Sequence, residues 1–154
     1  MTEFRHVLVA VDFDEPSRHA AQLAAEIARK YQARLTVLHV YTLPTHAYAY
    51  PTLRDSAVSL AALDESVKGA AEASLEDLVA RLRRICETAE AVVRAGVPWR
   101  EIIAHVEESG ADLLVVGTHG RLGVSRMVFG SVAERVIRHA RVPVVTAHIP
   151  ELPN

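Results

Sequence analysis

The stretch His6-Val-Leu-Val-Ala-Val-Asp12 decides the fold, because it is a short apolar run, rich in β-branched residues, that ends in an acid. Such a run is typical of a strand buried on both faces, as the central strands of parallel sheets are. Directly after it, Asp14-Glu15-Pro16-Ser17 combines a candidate helix N-cap with a proline, and apolar residues then recur at helical spacing as far as Tyr31. The first recognisable elements are therefore a buried strand and the helix that follows it.

Strands and helices continue to alternate along the rest of the sequence. Further strands are predicted at 34–40, 89–94, 112–117 and 142–147, and further helices at about 64–87, from 98 onward and at about 131–139. The intervening segment 41–63 is predicted to be irregular, with a helical turn near 56–62. Alternation of this kind requires right-handed crossovers and a parallel sheet covered by helices on both faces. We therefore predict one α/β domain over residues 1–154, with three layers and a five-stranded parallel sheet, and we expect the order 3-2-1-4-5 of a flavodoxin-like or Rossmann-like topology, which the alternation alone does not determine.

The composition excludes several classes of protein. Of the 154 residues, 50% are apolar and 23% are charged, which is typical of a globular domain and excludes a disordered or collagen-like chain. The formal net charge of -2 offers no basic field to nucleic acid or an anionic membrane, and no apolar run approaches the ~18 residues needed to span a bilayer. The one cysteine, Cys86, cannot form an internal disulfide and is expected to fill space in the core. We expect a cytoplasmic protein without nucleic-acid or membrane partners.

The strongest local signal runs from Gly117 to Ser131. In open parallel sheets, ligands bind beyond the carboxyl ends of the strands, where the strand order reverses. Asp12 and Gly117 stand at the ends of the first and fourth predicted strands and are therefore candidate ligand-binding residues. From Gly117 the sequence Gly-Thr-His-Gly120 leads through a loop to Gly130-Ser131 at the start of a helix. Free N–H groups there would form an anion site at the positive end of the helix dipole. The alternative is that the glycines only make a turn and that Ser131 only caps its helix.

This segment resembles the universal stress protein family, whose ATP-binding members carry the pattern G-x2-G-x9-G-(S/T). The four fixed positions are occupied, with the spacing of the family, by Gly117, Gly120, Gly130 and Ser131. The opening Val9–Phe13, the strand end Leu38-His39-Val40 and the stretch 132–145 also resemble the family. The likeness extends over nearly the whole chain and is weakest in segment 41–63.

The resemblance implies an adenine-nucleotide-binding fold and a site for ATP, with Mg²⁺ carried by the phosphates. The residues that it assigns to the nucleotide are Ala10, Val11, Asp12, Val40, Val116, Gly117, Gly120, Gly130, Ser131 and Val132. Among them, Asp12 is expected near the ribose and phosphates, although a carboxylate there could instead cap the next helix, a role for which Asp14 is better placed. Ala133 departs from the family, since some members carry a hydroxyl there, and its absence is expected to weaken binding by about 1.5–3 kcal/mol.

Other residues in this region have two interpretations each. Arg121 and Arg126 could pair with phosphate oxygens, or they could be solvated surface arginines. His119 has no carboxylate or nucleophile near it in the sequence to form a triad, and the eight histidines show no metal-ligand spacing. The stretch Tyr41–Tyr50 could cover a bound base or could simply pack against the body of the domain.

Other α/β classes lack their required residues. A receiver domain would need an aspartate after the third strand and a lysine after the fifth, and a flavodoxin would need a hydroxyl-rich loop where Phe13-Asp14-Glu15-Pro16 stands. The P-loop string GxxxxGK(S/T), the HxGH string of adenylyltransferases and the SGGxD loop of ATP pyrophosphatases are absent from the sequence.

The sequence therefore predicts an ATP-binding universal stress protein, a nucleotide-dependent sensor or regulator with at most slow hydrolysis. The alternative is an interaction module of the same fold that binds no nucleotide. The substitution Gly117→Val is expected to block the approach of base and ribose while leaving the fold intact. The apolar last strand, 142–147, would be an exposed edge, and the resemblance implies that it pairs across a twofold axis in a homodimer.

Overall fold

Five strands and four helices alternate along the residues that the computed structural model describes, which are 3–43, 60–118 and 130–149. The strands are β1 (His6–Ala10), β2 (Arg34–Tyr41), β3 (Ala89–Ala95), β4 (Leu113–Gly117) and β5 (Val144–Ala147). The helices are α1 (Glu15–Tyr31), α2 (Leu60–Leu82), α3 (Pro98–Ser109) and α4 (Ser131–His139).

All strands of the sheet are parallel, in the order β3-β2-β1-β4-β5. The central strand β1 pairs on both sides, so that Val9 lies opposite Val37 of β2 and Val115 of β4. The predicted fold class and strand order are therefore confirmed.

The two faces of the sheet carry separate hydrophobic clusters, because successive side chains of a strand point to opposite faces. Val7 and Val9 of β1 belong to the cluster formed with α1 and α2, whereas Leu8 belongs to the cluster formed with α3 and α4. All three side chains are fully buried. The helices thus form a layer on each side of the sheet, and β1 is covered on both faces and paired along both edges.

Helix α1 starts as its sequence predicts. The Asp14 side chain is the N-cap and accepts a hydrogen bond of 2.8 Å from the Ser17 N–H, and Pro16 lies in the first turn, where a missing N–H costs nothing. The buried side of the helix consists mainly of alanines, which allow its backbone to lie close to the sheet: Ala20, Ala21, Ala24, Ala25 and Ala28.

Several element boundaries differ from the prediction, most of them by one or two residues. Helix α2 runs from Leu60 to Leu82 rather than over 64–87. Beyond Leu82 the N–H groups of Arg84 and Ile85 donate to carbonyls three residues earlier instead of four, so the chain forms a turn there. Strand β5 begins at Val144 rather than at residue 142. Of the segment predicted to be irregular, 44–59 lies outside the described residues.

A network of polar side chains crosses the sheet at the amino ends of its strands. His6 of β1 is buried, and its Nε2 lies 2.8 Å from the Thr36 hydroxyl, which donates a hydrogen bond of 2.9 Å to Glu90 of β3. Burial, and secondarily the charge of Arg34, lower the pKa of His6 below its ordinary value of 6.5, against the opposing effects of Glu90 and Asp112. The folded protein therefore favours the neutral imidazole.

We predict a loss of stability in mild acid that depends on His6. Because the pKa of His6 is lower in the folded state, the unfolded chain takes up the proton first, so the contribution is complete above pH 6.5 and decreases as the pH falls below that value. The free energy of unfolding can be measured by urea denaturation between about pH 7.5 and 5. Because unfolding is coupled to the uptake of at most ~one proton by His6, this free energy should fall by up to about 1.4 kcal/mol per pH unit. His6→Gln should reduce this slope, whereas His19→Gln, at an exposed position of α1, should not. Equal slopes in all three proteins would contradict the prediction. The His6→Gln variant should keep a smaller slope, because burial also lowers the pKa of His105.

Candidate functional site

A cleft of about 390 Å³ opens at the carboxyl ends of β1 and β4. The chain leaves β1 towards β2 on one side and leaves β4 towards β5 on the other, so the connections diverge at this point. Such a divergence is where parallel α/β sheets bind their ligands. Nine of the ten predicted nucleotide residues line the cleft: Ala10, Val11, Asp12, Val40, Val116, Gly117, Gly130, Ser131 and Val132. The tenth, Gly120, lies outside the described residues, as do His119, Arg121 and Arg126.

The cleft also has lining residues that the sequence did not predict. Leu38 lies two residues before Val40 on the same face of β2, so the period of a strand would have identified it. Pro98 and Ile102 come from the first turns of α3, which follows β3 at the same edge of the sheet and carries no recognisable motif. Together these side chains give the cleft an apolar wall suited to a flat, uncharged group.

The amino end of α4 forms another part of the lining. Gly130 occupies the N-cap position and has no side chain with which to cap the helix. The N–H groups of the first helical turn, at residues 131–133, have no acceptor within the helix. Since these residues line the cleft, the positive end of the helix dipole faces whatever occupies it.

Two acids lie at the end of β1. The structure assigns the capping of α1 to Asp14, while Asp12 is exposed in the lining of the cleft and accepts the Asp14 N–H through Oδ1 at 3.1 Å. Burial, and next the Asp12 carboxyl, raise the pKa of Asp14 above its ordinary value. The Asp12 N–H donates to Ser17 Oγ at 3.2 Å, which ties this turn to the first turn of α1.

Gly117 is required by the packing of the domain itself. A Cβ atom at this position would lie 2.7 Å from the carbonyl carbon and oxygen of Pro16 and 2.8 Å from the Ser17 nitrogen, all of them backbone atoms that cannot move independently. The expectation that Gly117→Val leaves the fold intact is therefore wrong. The glycine lets the start of α1 approach the end of β4, and a larger residue would push the two elements apart.

We predict that substitution by alanine changes the free energy of unfolding in opposite directions at Gly117 and Gly69. Gly117→Ala should lower the free energy of unfolding by about 1–3 kcal/mol, because the added methyl group overlaps backbone. Gly69→Ala should raise it by roughly 0.5–1 kcal/mol, because Gly69 lies within α2 and a Cβ there meets nothing within 4 Å. Urea denaturation at neutral pH measures both. An unaltered stability of Gly117→Ala would show that β4 and α1 can separate at no cost.

The described residues can also be compared with the requirements of a metal site, a membrane-spanning helix and a reactive thiol. Within 3–43, 60–118 and 130–149, no group of three or more His, Cys, Asp or Glu side chains could hold a metal ion. In the same residues, no helix has the length and apolar character required to cross a membrane. Cys86 is a buried free thiol in the core cluster of α1 and α2, as predicted.

The strand order and the cleft define a parallel α/β domain of the type that binds ligands where its connections diverge. Residues 3–148 match the model of the universal stress protein family, and the chain belongs to that family. A universal stress protein of Methanocaldococcus jannaschii is 28% identical over 148 residues, which cover 96% of this chain and 84% of that protein.

Solved structures of the family share the fold. A universal stress protein crystallised in complex with cAMP has a TM-score of 0.68 at 24% identity, covering 96% of this chain and 98% of its own. The universal stress protein from Archaeoglobus fulgidus in complex with dAMP has a TM-score of 0.64 at 23% identity, covering 95% of this chain and 99% of its own. At these identities the structural likeness concerns the fold.

Proposed function

We propose that the protein is an ATP-binding universal stress protein, which acts as a nucleotide-dependent sensor or regulator of a stress response. The observation that carries the proposal is that residues chosen from the sequence for the base, the ribose and the phosphates line a single cleft. Residues 1–154 would form one such domain. The single cysteine, reduced and buried, favours a reducing compartment such as the cytoplasm.

The dimensions and chemistry of the cleft suit an adenine nucleotide. Its volume of about 390 Å³ lies within the ~300–1,000 Å³ of typical small-molecule sites. Leu38, Val40 and Ile102 offer an apolar surface to a base, and the N–H groups at the start of α4 offer donors to phosphate oxygens. The complexes of relatives with cAMP and dAMP support an adenine nucleotide as the ligand class.

The distribution of charge favours one orientation of the ligand. Asp12 and Asp14 lie at the α1 end of the cleft and would repel phosphates, which therefore belong at the α4 end. Mg²⁺ bound by the phosphates would reduce this repulsion. We propose binding with at most slow hydrolysis, because the sequence offers no evident general base for phosphoryl transfer.

The first test is a calorimetric titration with Mg·ATP, in which the unaltered protein should bind saturably. Val132→Asp should weaken binding at least tenfold, or by about 1.4 kcal/mol, because it places a negative charge where the phosphates are proposed to lie. A negative charge in the first turn of a helix stabilises that helix, so unfolding cannot explain the loss.

Ile137→Asp is the matched control for this titration. Val132 and Ile137 are 36% and 41% exposed on the same helix, and Ile137 does not line the cleft. The control should bind Mg·ATP nearly as tightly as the unaltered protein. No binding by the unaltered protein at millimolar nucleotide would overturn the proposed function and favour the interaction module.

We also propose a homodimer formed through β5. Within the described residues, β5 pairs only with β4, and its other side is an edge. On the side that faces β4, the carbonyl of Pro143 accepts a hydrogen bond from the Leu114 N–H, and the carbonyl of Ala147 accepts one from the Thr118 N–H. By the alternation of a strand, Val144 and Thr146 direct their N–H and C=O groups to the open edge, where a second copy could pair.

Thr146→Pro is predicted to give a folded monomer. Proline removes an N–H that points to the edge and none that pairs with β4, a position that sheets tolerate. Light scattering should give twice the 16.8 kDa of the chain for the unaltered protein and for Thr146→Val, which keeps the N–H, and 16.8 kDa for Thr146→Pro. A monomeric unaltered protein would overturn the dimer.

A further inference from the structure

The turn between β1 and α1 contains a strained residue. Phe13 has a φ of +66°, and the other described residue with a side chain and a positive φ, Gln32, is simply the C-cap of α1. A bulky side chain rarely adopts this conformation, so surrounding contacts must stabilise it. Such strain tends to be retained at functional sites, and the residue before Phe13 is Asp12, in the lining of the cleft.

His39 of β2 supplies contacts on both sides of Asp12. Its Nδ1 lies 2.7 Å from the carbonyl oxygen of Val11, and because a carbonyl only accepts, Nδ1 carries the proton and donates. The Phe13 ring lies against the imidazole, with 4.5 Å between the ring centroids and 40° between the planes. One histidine therefore holds the residue before Asp12 through a hydrogen bond and the residue after it through a ring contact.

Neither His39 nor Phe13 lines the cleft. Phe13 packs against the core cluster of α1 and α2, which lies on the face of the sheet opposite Leu38. Any influence of the two rings on a ligand must therefore pass through the turn. On the cleft side, the Asp12 N–H donates to Ser17 Oγ, and Oδ1 of Asp12 accepts the Asp14 N–H, so the turn is held from both faces.

We propose that His39 and Phe13 are a positioning pair, which fixes the Asp12 carboxylate to accept hydrogen bonds from the ribose hydroxyls and so makes the site select ribonucleotides over deoxyribonucleotides. The inference rests on the proposed function of the cleft. A carboxylate accepts hydrogen bonds and repels phosphate, and since the base is assigned to the apolar wall of Leu38, Val40 and Ile102, the donors left for Asp12 are the ribose hydroxyls. Selection of this kind requires the acceptor to be held in place before the ligand binds.

The test measures the affinities of Mg·ATP and Mg·dATP for a set of His39 and Asp12 variants. The unaltered protein should prefer ATP by about tenfold, the effect of one hydrogen bond to a charged group. His39→Phe keeps a ring against Phe13 but removes the donor to Val11, and its preference should fall to less than about twofold. His39→Asn places an amide N–H near the position of Nδ1 and should restore most of the preference.

A double-mutant cycle shows whether His39 acts through Asp12. Asp12→Ala, which removes the acceptor, should alone abolish the preference, and His39→Phe should then change nothing further, because the two substitutions affect one interaction. In the unliganded protein, His39→Phe should also accelerate hydrogen exchange of the amides at residues 12–14, with the free energy of unfolding measured in parallel as a check on folding.

The outcomes distinguish the inference from the function on which it rests. Failure of the unaltered protein to bind either nucleotide would overturn both. Binding without a preference for ATP, or with a preference that His39→Phe leaves unchanged or lowers equally in the Asp12→Ala background, would overturn the positioning role alone. A purely structural role for His39 would lower both affinities in proportion and leave their ratio unaltered.

Discussion

The position of β1 at the centre of the sheet is the constraint on which the rest of the structure depends. Its side chains are buried on both faces, and its backbone pairs with β2 on one side and β4 on the other. The chain must therefore leave β1 towards one neighbour and return later to the other. Those diverging connections leave the cleft between the carboxyl ends of β1 and β4, so the site is a consequence of the topology before any motif is considered.

Gly117 connects this topology to the packing of the helices. The residue ends β4 and lines the cleft, yet its lack of a side chain is required by the backbone of Pro16 and Ser17 at the start of α1. A glycine in a binding motif can thus have a purely structural cause. The same close approach brings the turn that carries Asp12 against the end of β4, so one contact contributes both to stability and to the shape of the cleft.

The sequence predicts features that depend on local or periodic patterns. The apolar run at β1 and the alternation of elements were sufficient for a parallel sheet covered by helices, the Asp14 cap was sufficient for the start of α1, and the spacing from Gly117 to Ser131 identified part of the cleft lining. Pro98 and Ile102 were missed because they belong to an element without a motif, brought there only by tertiary packing. The left-handed conformation of Phe13 could not be predicted, because phenylalanine has no preference for it and the contact with His39 is distant in sequence.

The two ends of the cleft have opposite electrostatic character, and this matters more than the net charge of -2. Ala133, which has no hydroxyl to offer a ligand, is 4% exposed and packs in the cluster of α3 and α4 while also lining the cleft. At the α4 end of the cleft, the hydrogen-bond donors available to a ligand are therefore mainly backbone N–H groups, whose positions are fixed by the helix itself. The acidic end depends on Asp12, whose position is fixed by a turn under strain. The backbone donors remain aligned as long as the helix is folded, whereas the position of the Asp12 carboxylate also depends on the contacts that Ser17 and His39 make with its turn, so changes in ligand selectivity should arise first at the acidic end.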